Sequence, residues 1–395
     1  MRYIILLTSC LLLSGCASSG YGNQSLPNAR VSRNAARPFG ALDTLFKFND
    51  TDGSGPTGLV DLNGTFYGTS SMGATLSGTV FSLTPQGKFT SLYTFGQPPD
   101  AISPQAPLIA MNGKLYGTSE AGGTAGEGTV FSLTPSGTEK VIYSFQGGSD
   151  GSSPTAPLLA IGGKLYGTAG GGGIGPSGGY GTVFVVTTSG SEKVLYRFRG
   201  YSVGDGSGPI SGLMNFKGKL YGVTITGGKR GGGTVYSVTR AGNEKVLHEF
   251  GGTGDGYYPS TALTAVGNTL YGMTQEGDTE AAVGTVYQIT PTGHEQVIHV
   301  FQCCKGGANP IGGALTNVYG LLYGVTPLGG QSGKGTIFSM TTSGTETVLH
   351  SFSGPDGTFP GGSLLYLSNS LYGVTAGNIR QQSKTEFGTI YSLTP

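Results

Sequence analysis

Apolar and polar positions along this chain alternate in short bursts. Runs of five to seven aliphatic, β-branched or aromatic residues are bounded by Gly, Pro or Ser, and no stretch carries a helical period of useful length. The segment around Tyr166 shows the unit. Thr155 to Ile161 is mostly apolar and ends at Gly162-Gly163, which reads as a tight turn. Lys164 to Thr168 follows, then a Gly-rich loop from Ala169 to Tyr180. Thr182 to Thr187, a Ser-Gly-Ser turn and Lys193 to Phe198 complete it. Each run predicts a β-strand, four to a unit.

The unit recurs seven times. An aromatic-Gly pair falls at Tyr67, Tyr116, Tyr166, Tyr221, Tyr271, Tyr323 and Tyr372, with steps of 49, 50, 55, 50, 52 and 49 residues. A second anchor, Gly-Thr-Val/Ile-Phe/Tyr, follows each one, at Gly78, Gly128, Gly181, Gly233, Gly284, Gly335 and Gly388. Four strands per repeat of about fifty residues is the arithmetic of a propeller blade. The expected fold is therefore all-β, a seven-bladed β-propeller of four-stranded blades. The seventh repeat stops after its third run, Gly388 to Thr394, while Leu42 to Phe48 matches the missing fourth. An N-terminal strand completing the last blade would close the ring and remove exposed sheet edges. An open β-solenoid would need capping repeats, and nothing in the chain resembles them.

Composition agrees. Gly supplies 75 of 395 residues, without the period of three that collagen needs, and aromatics at 10% are too many for a disordered chain. The balance of 22 basic and 21 acidic residues leaves no electrostatic footprint for nucleic acid. The amino terminus stands apart. Met1-Arg2, an apolar run from Tyr3 to Leu13, and Leu13-Ser14-Gly15-Cys16 look like a bacterial lipobox. The run is too short to span a bilayer, which needs about twenty residues. The expected organisation is a lipoprotein signal peptide over 1–15, a lipidated Cys16 with a flexible tether over 16–40, and the propeller over 41–395. Ala17 and Ser18, with no Asp after the cysteine, resemble the outer-membrane sorting pattern of diderm bacteria. The expected location is the bacterial cell envelope, lipid-anchored at the outer membrane.

The recurrent string Leu-Tyr-Gly-Thr, a Gly-Gly loop, Gly-Thr-Val-Phe-Ser-Leu-Thr-Pro-x-Gly and Val-Leu-Tyr-Ser-Phe resembles the bacterial tandem repeat called GloVer, over residues 41 to 395. Proteins of that kind are described as choice-of-anchor, since members carry different surface-attachment signals; the lipobox would be one such anchor. The resemblance implies no catalytic residues. The repeat is also kelch-like in its paired glycines, but departs in having no tryptophan.

Candidate chemistry dissolves into the repeat register. His248, His299 and His350 share the slot Val-Leu/Ile-His-x-Phe that holds Tyr93, Tyr143, Tyr196 and Phe46 elsewhere. This predicts an aromatic packing slot, and no metal site is expected from three His on successive blades. Glu139, Glu192, Glu244, Glu295 and Glu346 share one turn position; Asp52, Asp150, Asp205, Asp255 and Asp356 share another, in Asp-Gly turns before Pro. Asn49, Asp50 and Asp52 before Gly53 faintly resemble a calcium loop but lack a downstream bidentate Glu; no other cofactor is expected. No Ser, His and Asp trio stands out, and Gly170 to Gly179 lacks the Lys-Ser/Thr helix of a phosphate loop. Cys303-Cys304 replaces a Gly-Gly and can close a strained vicinal disulfide or serve as a rigid turn.

Function would live where repeats differ. The gap between the two anchors runs 11, 12, 15, 12, 13, 12 and 16 residues, and the link from the outer Phe to the next Pro runs from 8 to 11. In a four-stranded blade these two loops emerge on the same face of the disc, and loop variation on a rigid scaffold marks a binding face. Its off-register residues are Met72, Glu120, Glu127, Tyr180, Tyr201, Lys229, Arg230, Glu276, Asp278, Glu280, Lys334, Arg380, Lys384 and Glu386. Two functions fit: a surface-anchored binding or adhesion module for an extracellular glycan or protein, or an extracellular polysaccharide-active enzyme (hydrolase or lyase) on the same scaffold. Absence of off-register acid pairs favours binding. The expected partners are a membrane, through the lipid anchor, and the glycan or protein ligand, with the chain monomeric.

Overall fold

The computed structural model describes residues 41–49, 51–72, 77–175, 178–279, 282–302, 306–377 and 387–395. They form seven antiparallel four-stranded blades of a β-propeller; the helical content among them is a single 3-10 turn at Tyr201–Val203. Blade 2 is typical, with Ile109–Met111, Lys114–Ser119, Thr129–Leu133 and Glu139–Ser144 hydrogen-bonded in that order. The three-residue first strands of neighbouring blades touch one another, which puts them innermost. Blade 7 takes Pro360–Leu367, Ser370–Thr375 and Thr389–Leu393 from the C-terminal end, and Leu42–Lys47 from the other. The register there runs from Leu42 opposite Leu393 to Lys47 opposite Thr389. The closed ring expected from the repeat arithmetic is thus formed.

Each anchor has a steric cause. The Tyr-Gly glycine of the second strand lies opposite the aromatic of the third: Gly117 opposite Phe131, Gly167 opposite Phe184, Gly222 opposite Tyr236. A Cβ at Gly167 would sit 2.5 Å from Cζ of Phe184, so the ring lies where a side chain would be. The Gly-Thr glycine answers to the next blade instead. Gly128 holds φ near 101°, and its missing Cβ would lie 2.5 Å from Cδ of Pro154. At the closing interface Gly388 stands in the same relation to Pro56, at 2.7 Å.

Hydrogen bonds complete this clasp. The residue before each of these prolines donates its N–H across the interface to the carbonyl just before the anchor glycine. Examples are Ser153 to Glu127 (2.9 Å), Tyr258 to Gly232 (2.8 Å) and, at closure, Gly55 to Phe387 (3.1 Å). Five of the donors, Ser103, Ser153, Tyr258, Asn309 and Phe359, adopt positive φ without being glycine. That strained conformation persists because the surrounding contacts over-determine it. Outside the clasp, an apolar cluster fills each of the seven interfaces. Between blades 1 and 2 it comprises Tyr67, Val80, Phe95, Leu108, Leu115, Phe131 and Leu133, all buried. The cluster closing blade 7 on blade 1 joins Val374 and Ile390 to Phe48, Phe66 and Phe81.

Blades 4, 5 and 7 carry Tyr where the others carry Phe on the third strand. The hydroxyls of Tyr236, Tyr287 and Tyr391 are buried without a hydrogen-bond partner. Tyr236→Phe is expected to leave stability unchanged or raise it by up to about 1 kcal/mol, since the orphaned hydroxyl loses its desolvation cost. Gly167→Ala is expected to lower stability by about 1–3 kcal/mol through overpacking against Phe184. Urea unfolding midpoints of the two variants measure both effects.

Candidate functional site

In every blade the link entering the first strand pairs with the loop between the second and third. Ala101–Ile102 pairs with Ala121–Gly122, Gly206–Ser207 with Thr226–Gly227, and Gly307–Ala308 with Leu328–Gly329. Blades 1, 5 and 7 make the same pairing through Ser54, Tyr257 and Pro360, and blade 3 through Ser152. The two length-variable loops therefore share one face.

Six of the sequence candidates lie on this face over blades 3 to 5. The Tyr180 ring packs over Gly175 and Gly200, so their chain neighbours Ile174 and Tyr201 flank it. Tyr201 is 67% exposed and Val203 59%, both in the 3-10 turn, and Ile174 is 55% exposed. The Lys229 stem lies against Gly204, and its backbone N–H donates to Glu249 (2.7 Å). The Arg230 guanidinium lies over Gly252. Glu276 stands opposite Tyr257, and Asp278 accepts the Gly254 N–H at 2.7 Å. Glu280, Arg380, Lys384 and Glu386 lie outside the described residues, as do Cys16, Asp50, Cys303 and Cys304.

The same face holds a cleft of about 370 Å³ between blades 6 and 7, lined by Lys47, Phe48, Lys334, Pro355 and Phe387. Lys47 Nζ donates to the Pro355 carbonyl at 2.6 Å. Of these, sequence reasoning singled out Lys334 alone. Lys47 and Phe48 belong to the closing strand and its edge, where residues keep the register and give no signal.

A second polar assembly was read piecemeal from the sequence. At the four interfaces from blade 1 to blade 5 the aromatic slot of one outer strand meets the Asp of the following link and the Glu that opens the next outer strand. Tyr93 donates to Asp100 (3.0 Å), Tyr143 to Asp150 (2.9 Å) and Tyr196 to Asp205 (2.7 Å). His248 replaces Tyr against Asp255 (3.1 Å), and His350 against Asp356 (2.7 Å). The His rings keep the expected packing role as well, edge-on to Phe250, Phe301 and Phe352. The Asp carboxylates also close their own links: Asp100 accepts the N–H groups of Gly96 and Ala101, each at 2.7 Å. At the blade 7 to blade 1 interface Phe46 and Phe89 take the places of the slot residue and the Glu, stacking with centroids 4.1 Å apart. There Asn49 spends its side-chain oxygen on the Thr51 N–H (2.9 Å), an Asx turn.

The glutamates of this assembly are unusual acids. Oε1 of Glu139, Glu192, Glu244, Glu295 and Glu346 is buried without a partner. Burial first, and then the neighbouring Asp100, pushes Glu139 up to about 7. Glu192 rises to about 7 through burial and Asp150, and Glu244 to about 7 through burial and Asp205. Glu295 is also raised to about 7, chiefly by burial, with His248 opposing and Asp255 reinforcing. The assembly sits between blades, where burial and the charge of the adjacent aspartates favour the neutral form of these four glutamates.

The architecture defines the protein as a seven-bladed propeller. Virginiamycin B lyase from Staphylococcus aureus has a similar fold, with a TM-score of 0.60 at 14% identity over 90% of this chain and 99% of that one. A catalytically inactive form of that enzyme with quinupristin gives 0.61. A puromycin-hydrolysing peptidase from Mycobacterium tuberculosis gives 0.51 at 10% identity, with 90% of this chain and 56% of that one covered. At such identities the likeness is one of fold alone. No curated protein matches the chain in sequence. The chain belongs to the Gloeobacter/Verrucomicrobia repeat family, whose model matches residues 35–216 and 174–391.

The raised glutamates make stability depend on pH. Unfolded glutamates titrate near 4.5, so between about 4.5 and about 7 the folded chain holds the extra protons. Stability is therefore expected to decline as pH rises through that window and level off above it. Replacing Glu139, Glu192, Glu244 and Glu295 together by Gln is expected to flatten the decline and raise the melting temperature at pH 7.5. Thermal unfolding at half-unit pH steps gives the comparison.

Proposed function

We propose that the protein is a monomeric, lipid-anchored binding module of the bacterial cell envelope, presenting its variable-loop face to an extracellular glycan. The observation that carries this reading is the exposed patch of Ile174, Tyr201 and Val203 around the Tyr180 ring, beside Lys229. It sits on the two loops that are longest among those fully or nearly fully described, the 15-residue gap after Tyr166 and the 11-residue link after Phe198. An exposed tyrosine offers an apolar ring with a polar tip at low entropic cost, and that suits stacking on a sugar. Exposed apolar patches on a rigid scaffold mark interaction sites. The lipobox ending in Cys16 supplies the anchor, and the run from Ala17 to about residue 40 the tether.

Calorimetric titration of the purified chain with a panel of soluble polysaccharides tests the binding. One sugar class is expected to bind saturably, with affinity reduced about tenfold or more by Tyr201→Ala. Arg240→Ala, in a turn on the opposite face, is expected to leave it unchanged. Binding indifferent to Tyr201→Ala would remove this site. A protein ligand competing for the same patch, or turnover of the bound polymer, would replace the glycan-binding reading. Separately, Cys16→Ala is expected to move the protein from the membrane fraction to the soluble fraction. An unmoved variant would refute the anchor.

A further inference from the structure

Blades 4 and 5 bring together three potential metal ligands of complementary type. His248 Nε2 lies 3.1 Å from Asp255 Oδ2 and 3.9 Å from Glu295 Oε2, and the three ligand atoms all fall within 4.8 Å of one another. We propose that they form a binding site for a divalent transition-metal ion of the zinc type. Tetrahedral zinc with bonds of roughly 2.0–2.1 Å sets its ligand atoms about 3.3 Å apart, so both measured separations need only small side-chain adjustments. One imidazole and two carboxylates leave the fourth position to water, which can enter from the rim because His248 is 20% exposed.

A ligand role accounts for a group the fold leaves unsatisfied. The Glu295 side chain is only 10% exposed, and its Oε1 is buried with no hydrogen-bond partner. A cation beside this carboxylate would compensate its desolvation. The supporting shell is already in place. Asp255 Oδ1 accepts the Gly256 N–H (2.9 Å), and the His248 ring is held edge-on against Phe250 with centroids 4.7 Å apart. The Asp278 carboxylate, held by the Gly254 N–H, adds negative charge nearby, while Arg230 over Gly252 opposes it.

Comparison across the ring explains why this interface is singled out among the described residues. Blades 1 to 3 place Tyr93, Tyr143 and Tyr196 in the slot, where a phenol donating to Asp takes the place of a ligand. His350 has Asp356, but the position of the third ligand is Leu42, at the start of the closing strand. His299 has Glu346 at 3.4 Å, and its link contains no Asp. Only His248 has both acids.

The repeat provides its own control, because His248→Tyr recreates the slot found in three other blades and should fold normally. Chelator-stripped full chain is titrated with Zn²⁺ alone by calorimetry, and the Co²⁺ form is examined by visible absorption. The expected result is a Zn²⁺ equivalent present in the wild type and in His350→Tyr but lost in both His248→Tyr and Glu295→Gln. A Co²⁺ absorption band should be lost in the same two variants. Melting of metal-free His248→Tyr should match metal-free wild type. Absence of binding, or binding and Co²⁺ spectra unaltered in His248→Tyr, would overturn the site.

Discussion

Each blade is fixed to the next by a proline ring lying where the anchor glycine would carry a side chain, with an N–H to carbonyl bond alongside. The contact needs positive φ at the glycine, a proline without an N–H to satisfy, and a preceding residue turned to donate across the seam. It recurs at all seven interfaces, including the one that joins Gly388 to Pro56. Fourteen of the chain's 75 glycines answer to this clasp and to the close approach of the second-strand glycine to the third-strand ring. Packing at near-crystalline density leaves such positions little tolerance, which is why they keep step through the sequence while the loops beyond them drift.

That tolerance explains what could be read from the sequence. Tyr-Gly and Gly-Thr recur because sterics allow little else, so blade count, strand order and the closing role of Leu42 to Phe48 were legible. The shared loop face followed from the same arithmetic. The site was legible only in part. Tyr201 stood out because it breaks register, whereas Lys47 and Phe48 keep it and were invisible although they line a cleft. The meeting of His248, Asp255 and Glu295 was hidden for another reason. His248 and Asp255 are seven residues apart, but Glu295 comes from the next blade, and the seam that unites them exists only once the blades stack. Register arithmetic assigns each residue a slot without showing which slots face each other.

The structure divides labour between seam and rim. Within the seams, Tyr or His, Asp and Glu form a polar set in which burial raises Glu139, Glu192, Glu244 and Glu295 to about 7. Such groups favour a unique stacking geometry while making stability sensitive to pH. At the closing seam stacked Phe46 and Phe89 stand where the other seams have Tyr or His and Glu, so the joint between the two chain ends carries none of the raised glutamates. The variable loops lie outside these constraints. They can lengthen and expose apolar side chains such as Tyr201 and Val203 without disturbing the stack, the condition under which a repeat scaffold acquires ligands.

The ring closes through a last seam as firm as the others, and native-state hydrogen exchange tests this most directly. The amide of Gly55 bonds to Phe387 across the closing seam, as that of Ser153 bonds to Glu127 across an internal one, while the amide of Phe48 bonds to Gly388 within blade 7, as that of Phe145 bonds to Gly128 within blade 2. Matching protection is expected for the two pairs, lost together in global unfolding. Rapid exchange at Phe48 and Gly55 while Phe145 and Ser153 stay protected would contradict it, and would describe an array that opens where its two ends meet.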